Sequence, residues 1–275
     1  MMIRQSSPIV DSYNTEEEYL YEKSYNFIKG YALALKLTNT LRALPLVRIA
    51  HNGQYRQGMT LVNGQEVRLP YVLHVLKVCS TLISLDLELP KDTYDIMLAS
   101  SLCHDLLEDC GDRFKEDGEN LVTEYGFPQE VLDRVRLLSK RSGLDEHDLN
   151  DYFNRIKKDP STLLIKLADR SHNVEDLYNM RIERLHKYVD ETRRWIYPLC
   201  SYGKAHYPSL SNGFNILKAK IVSLTEATEA IVDMYEKKIE EKDKEIIMLR
   251  EQLATFQLDT IEDVADSEEA LLGSA

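Results

Sequence analysis

A chain of 275 residues suffices for one large domain with an appendage and would be cramped as two equal domains. Apolar residues make up 43% and charged residues 29%, which excludes a chain disordered or membranous throughout. The 34 Lys and Arg face 46 Asp and Glu, a net charge of −12 that repels nucleic acid, so an anionic ligand needs a metal or clustered cations.

Thr15 and Glu18 have capping-box spacing and open a helix that reaches about Leu37. Pro45 suits the first turn of a second helix, whose apolar side is Leu46, Val47, Ile49 and Ala50 and which ends near His51. The period then changes. Met59 to Val62 and Gln65 to Leu69 read as strands around Asn63-Gly64, a strong hairpin signal, so a small β-hairpin is expected over about 58–69. Helical spacing returns at Tyr71, with Val72, Leu73, Val75, Leu76, Val78, Leu82 and Ile83, and again from Thr93 to Cys110 after the turn at Pro90. Further helices are predicted around Gln129 to Ser139, Asp148 to Ile156 and the apolar run Leu163 to Ala168, which leads on to Leu177. Nothing alternates as βαβ, so residues 1–205 read as an all-α domain with one hairpin, followed by a break from Tyr207-Pro208 to Gly213.

Past the break, over 214–257, Leu217, Ile221, Leu224, Thr228, Ile231 and Tyr235 follow the 4-3 spacing of a coiled-coil seam. Ile246, Leu249, Leu253 and Phe256 resume it in a register displaced by four residues. The expectation is a homo-oligomer joined through this helix, with an acidic, fraying tail over 258–275. The first half of the seam equally permits a helix folded back on its own domain. The run Ile96 to Cys103 is far shorter than the roughly 20 residues that span a bilayer, and Met1 to Ser12 has no apolar segment of the secretory kind. A cytoplasmic protein with no membrane partner is expected, and Cys79, Cys103, Cys110 and Cys200, lacking C-x-x-C spacing, read as reduced packed thiols.

The chemistry concentrates in His104-Asp105-Leu106-Leu107-Glu108-Asp109. On a continuous helix these four polar side chains share one stripe, His104 over Glu108 and Asp105 over Asp109. A solvated helix end would look similar, but the preceding Ile96, Leu98, Ala99 and Leu102 indicate burial, where carboxylates need a compensating cation. Asp169 and Asn173 form an i, i+4 pair after a second apolar run, and His74 lies amid apolar neighbours. Each alone has a bland reading, a hydrogen-bonded core histidine or an Arg-paired Asp. Together they point to a metal.

Their order and content resemble the HD-domain superfamily and, more narrowly, the hydrolase domain of RelA/SpoT-type enzymes. Ala50-His51-Asn52-Gly53-Gln54-Tyr55-Arg56 resembles that family's A-H-x-G-Q-x-R, and Pro70-Tyr71-Val72-Leu73-His74 its P-Y-x-x-H. His104 to Asp109 matches H-D-x-x-E-D, Lys166 to Asn173 matches K-L-A-D-R-x-H-N, and Glu191-Thr192 with Tyr197-Pro198-Leu199 resembles a later E-T…Y-x-P-L segment. The link from Arg56 to Pro70 is longer than the family's, and Glu175 and Asp176 stand where many relatives carry M-R-T-L after the Asn.

Position by position, the resemblance implies an all-α HD-domain bundle in which His74, His104, Asp105 and Asp169 hold one divalent metal, Mn²⁺ in preference to Fe²⁺ or Zn²⁺. Glu108 and Asp109 would then orient and deprotonate the attacking water. Arg56 would lie against the nucleotide base, Asn173 would hold the ribose or base side, and His51 would pack. By charge alone, Lys140, Arg141, Lys166 and Arg170 either offset the chain's acidity beside the substrate or are solvated surface charges. The implied activity is removal of the 3′-pyrophosphate from guanosine tetra- or pentaphosphate (ppGpp, pppGpp). No synthesis is expected, because nothing past Leu199 resembles the synthetase domain. Two other readings stand beside it: a phosphohydrolase of a different nucleotide, and a nucleotide-sensing module that signals through the coiled coil.

Overall fold

Thirteen residues from Val72 to Ser84 hold nine buried side chains, Val72 to Leu76 consecutively among them, and only the stripe of Lys77, Ser80, Thr81 and Ser84 is left partly or fully exposed, so this helix is largely enclosed by its neighbours. The computed structural model describes residues 15–56, 60–62, 65–111, 113–114, 117–140, 143, 145–175 and 182–272; the Asn63-Gly64 turn, Arg141 and Leu177 lie outside them. Among the described residues the chain is helical apart from one pair of three-residue strands. In order come α1 (Thr15–Leu35), α2 (Thr38–Ala50), β1 (Thr60–Val62), β2 (Gln65–Val67), α3 (Val72–Ser84), α4 (Lys91–Cys103) and α5 (Leu106–Asp109). There follow α6 (Asn120–Thr123), α7 (Gln129–Leu138), α8 (Glu146–Ile156), α9 (Pro160–Glu175), α10 (Ile182–Glu191), α11 (Tyr197–His206) and α12 (Ser211–Leu272). The two strands pair antiparallel with Leu61 opposite Glu66.

Around α3 pack α1, α4 and α9, while α4 also packs on α2 and α7. One continuous core results, from Tyr21 and Ile28 of α1 to Phe214, Leu217 and Ile221 of α12. The close seat of α12 on α11 depends on Gly203, where a Cβ would meet the Phe214 ring at 2.5 Å. All four cysteines are buried free thiols. No described helix is long and apolar enough to cross a membrane.

The structure departs from the sequence reading at three helices. First, α2 begins at Thr38 and carries Pro45 inside it rather than in its first turn. Its own N-cap residue, Leu37, makes no side-chain cap, and the cap comes instead from another helix. Asp95 of α4, buried, accepts from Asn39 N at 2.9 Å, Thr40 N at 2.8 Å and Thr40 Oγ1 at 2.8 Å. Asp95→Ala leaves these donors unsatisfied, and a loss of about 2 kcal/mol or more is expected. Chemical denaturation checks this: an unchanged midpoint would show that α2 needs no such cap.

Second, the helix predicted from Thr93 to Cys110 is broken. α4 stops at Cys103, Asp105 turns at φ −97, ψ 0, and the single turn α5 starts afresh at Leu106. His104 Nδ1 lies 2.7 Å from Ser101 O, a carbonyl at the open end of α4, and so closes the helix from its own C-cap. His104 and Glu108 are therefore not stacked on one helix.

Third, α12 buries Leu217, Ile221 and Thr228 as the spacing selected, but Thr225 takes the place of Leu224. Within the unit that extends through Thr228, the buried positions are Phe214, Leu217, Ile221, Thr225 and Thr228, with Leu224 only half-buried. Thr225 and Thr228 can be buried because their hydroxyls donate to Ile221 O and Leu224 O, at 2.7 and 2.8 Å. From Glu229 a second unit begins, in which Ile231 and Tyr235 are exposed. The helix runs on to Leu272, through the acidic residues after Gln257 whose composition reads as a fraying end.

Candidate metal centre

Two helices deliver one ligand-type side chain each and a turn delivers two, each a polar exception beside an apolar element. His74 is the single ring among the buried aliphatics of α3, Asp169 sits on the inner face of α9, and His104 and Asp105 form the turn between α4 and α5. His104 Nε2 lies 3.1 Å from Asp105 Oδ2 and 3.8 Å from Asp169 Oδ1; His74 Nε2 lies 3.4 and 3.2 Å from the same two oxygens. His74, His104 and Asp105 each offer one atom to a common point, with Asp169 reaching it through both imidazoles.

This arrangement requires a cation. With Nδ1 donating to Ser101 O, a neutral His104 turns a bare lone pair toward two carboxylates, and its buried Nε2 has no hydrogen-bond partner. Burial opposes a charged ring there, but Asp105 and Asp169 outweigh it and push His104 up to about 10. Burial likewise opposes the charged carboxylates, yet His104 holds Asp105, and Lys166 holds Asp169, well below the ordinary range. Two imidazole nitrogens and two carboxylate oxygens form a donor set that suits a borderline divalent ion, which would replace the proton between them.

The surroundings fix these side chains. Tyr71, one turn before His74, donates to Asp105 Oδ2 at 2.7 Å. His74 Nδ1 and His172 Nδ1 lie 2.7 Å apart. Burial above all pushes His172 down to about 2, so it stays neutral and can accept a hydrogen bond from His74 Nδ1–H, the tautomer that leaves His74 Nε2 free as a ligand. Lys166, largely buried, places Nζ 2.8 Å from Asp169 Oδ2. Tyr71, His172 and Lys166 were given no such roles by the sequence reading, although their spacing carries the signal: Tyr71 precedes His74 by three, and Lys166 and His172 flank Asp169 by three, each one helical turn away.

The remaining predicted site residues form two arms. On one, Arg56 Nη2 donates to Asn173 Oδ1 at 2.9 Å, and Asn173 Nδ2 donates to Asp169 Oδ1 at 2.5 Å, so both are tied to a ligand-type carboxylate. On the other, Glu108 Oε1 accepts from the Lys140 backbone N–H, and Lys140 Nζ lies 4.0 Å from Glu191, which also accepts from Arg170 at 2.6 Å. Burial pushes Glu108 up to about 7, against the lowering effect of the Lys140 N–H and of Lys166. Burial also raises Asp109, whose main chain is held by Gln54. His51 is buried, its ring 5.0 Å from that of Tyr71 and its Nδ1 2.7 Å from Gln54 Oε1. Beside Glu108 and Lys140 opens a cleft of about 970 Å³, lined also by Ser139, Tyr152, Arg155 and Lys158.

Fold and site together define a helical protein with a buried two-histidine, two-aspartate centre and a poised carboxylate beside it. The chain is similar to bacterial guanosine-3′,5′-bis(diphosphate) 3′-pyrophosphohydrolases. It is 28% identical over 185 residues to the bifunctional (p)ppGpp synthase/hydrolase SpoT of Escherichia coli K12, covering 66% of this chain and 24% of that protein. It is 28% identical over 187 residues to the 3′-pyrophosphohydrolase of Vibrio cholerae, with the same two shares, and 27% identical over 157 residues to that of Haemophilus influenzae, covering 56% and 21%. The chain thus spans about a quarter of the length of these relatives. No protein-family model matches it.

Proposed function

We propose that this chain is a metal-dependent phosphohydrolase of HD-domain type that removes the 3′-pyrophosphate of guanosine tetra- or pentaphosphate, giving GDP or GTP and pyrophosphate. The observation that supports this reading is the cluster of His74, His104 and Asp105, with Asp169 Oδ1 3.2 and 3.8 Å from the two imidazoles, in a chain similar to enzymes named for that reaction. These four side chains hold the metal, Mn²⁺ in preference to Fe²⁺ or Zn²⁺. When bound, it supplies a water of lowered pKa and an anchor for a phosphate oxygen.

Glu108, its carboxyl partly desolvated and lifted toward neutrality, takes the proton from the attacking water, and Asp109 fixes that water's position. The P–O bond to the 3′ oxygen breaks, and that oxygen leaves as the nucleotide's 3′-hydroxyl. Arg56 lies against the base and Asn173 against the ribose or base side; Arg56 bonds to Asn173 and Asn173 to Asp169, so binding the nucleotide and orienting a ligand-type carboxylate are linked. Lys140 receives phosphate charge that the chain's overall acidity would otherwise repel. The exposed apolar stripe of α12 joins two copies of the chain.

A panel of nucleotides incubated with Mn²⁺-loaded protein tests the assignment. The expected products are GDP or GTP with pyrophosphate, with GTP itself left intact. Release of orthophosphate, or equal turnover of ordinary nucleoside triphosphates, would reassign the site to another nucleotide. Tight binding of the tetraphosphate without turnover would make the chain a sensor.

A further inference from the structure

The face that α12 buries changes how the rest of the helix is read. Anchored at Ile221, Thr225 and Thr228 rather than at Leu224, the 4-3 spacing continues without displacement through Val232, Tyr235, Ile239, Lys242, Ile246, Leu249, Leu253 and Phe256. The displacement by four disappears, because it came from counting Leu224 and Ile231 as seam residues in place of Thr225 and Val232. In this register Ile239, Ile246 and Leu253 occupy a positions, and Tyr235, Lys242, Leu249 and Phe256 occupy d positions. Tyr235, Ile239, Ile246, Leu249 and Leu253 are all exposed, Ile239 by 50% and Leu249 by 52%.

We infer that residues 235–256 of α12 pair with the same residues of a second copy as a parallel, in-register, two-stranded coiled coil. This deepens the self-association proposed above and rests on it. Two observations select the arrangement. The a positions Ile239 and Ile246 are β-branched and Leu249 occupies d, the combination that favours two parallel strands. In a parallel pair, each g position faces the next e position of the other chain. Here g Lys238 meets e Asp243 of the partner subunit, and g Glu245 meets e Arg250 of the partner subunit, so both pairs join opposite charges.

Lys242 is the one polar residue at the seam's centre, and its Nζ reaches Glu245 of its own helix at 2.6 Å. The long aliphatic stem can cover the seam while the ammonium stays in water. A lone Lys at a d position lowers the stability of an otherwise apolar seam, and the opposite e and g charges set its alignment. The pairing is therefore modest in strength and specific in alignment.

Full-length Leu249→Cys and Glu251→Cys, each oxidised mildly and run without reductant, provide the test. Leu249 faces its own counterpart only in the parallel register, whereas Glu251 lies on the outer f face, and the native thiols are all buried. Leu249→Cys should form the disulfide-linked dimer at least about tenfold faster than Glu251→Cys, and Lys242→Leu should tighten the dimer seen by light scattering about tenfold. Equal cross-linking rates in a protein that scatters as a dimer would overturn the parallel register while leaving self-association standing. A monomer across micromolar concentrations in both wild type and Lys242→Leu would overturn both. Neither readout involves hydrolysis.

Discussion

Glu108→Gln is expected to retain divalent metal and nucleotide affinity while turnover falls by about 10²–10⁴-fold, the usual worth of a positioned base. The substitution keeps the shape of the side chain and its acceptor oxygen toward the Lys140 N–H, and it removes the capacity to take a proton. His104→Ala should instead lose metal and turnover together, because it deletes the nitrogen that faces both carboxylates. Metal content measured by atomic absorption, beside single-turnover rates, separates the two outcomes. In the wild type the rate should rise as Glu108 ionises; burial places that ionisation near 7 and a bound cation lowers it, so the ascending limb falls at or below neutral pH. Near-normal turnover in Glu108→Gln, or loss of its metal, removes Glu108 from the role of base.

Lys166→Met should give the largest change in stability. Lys166 sets its ammonium 2.8 Å from Asp169 in a largely buried position, and the pair holds each partner firmly charged. Deleting one member of a buried pair costs about 3 kcal/mol, which in a domain of this size lowers Tm by roughly 6–12 °C. Methionine retains most of the stem, so the loss reports the charge. The uncompensated Asp169 should then favour a divalent ion more than before, and added Mn²⁺ should raise the variant's Tm by more than it raises that of the wild type. Thermal scans with chelator and with metal check this. An equal fall under both conditions would mean that Lys166 stabilises the fold without neutralising the metal-side carboxylate.

What could be read from the sequence follows the range over which the causes act. Helical periodicity around α3, α7 and α9 is local, and so is the juxtaposition of His104 with Asp105. The start of α2 is not local: its cap is a carboxylate 55 residues away in the chain, and Pro45, a good first-turn residue in isolation, ends up inside the helix. The break at His104 escapes a periodic reading because the six residues have helical spacing, and a ring–carbonyl bond ends the helix. On α12 the packing position at Thr225 was missed because threonine counts as polar by type, yet becomes neutral to packing once its hydroxyl returns to the i−4 carbonyl. Around the site, residue types were legible, but the links of Tyr71 to Asp105 and of His172 to His74 arise only when three helices close on one another.

The cap on α2 also has a mechanical meaning. α2 and α4 lie side by side and are each 13 residues, about 20 Å, long. At one end they are pinned by Asp95. At the other, Gln54 Nε2 holds Asp109 O at 2.7 Å, Cys110 Sγ reaches Ala50 O at 3.4 Å, and the Arg113 guanidinium binds Ile49 O. Two struts of equal length joined at both ends make a truss, which resists shear and rotation better than either helix alone. His104 and Asp105 extend from one strut, and the segment leading to Arg56 extends from the other. This half of the site is thus a fixed jaw, and a bound nucleotide must either match its geometry as built or be met by movement of the opposite half, carried on α9 and α10.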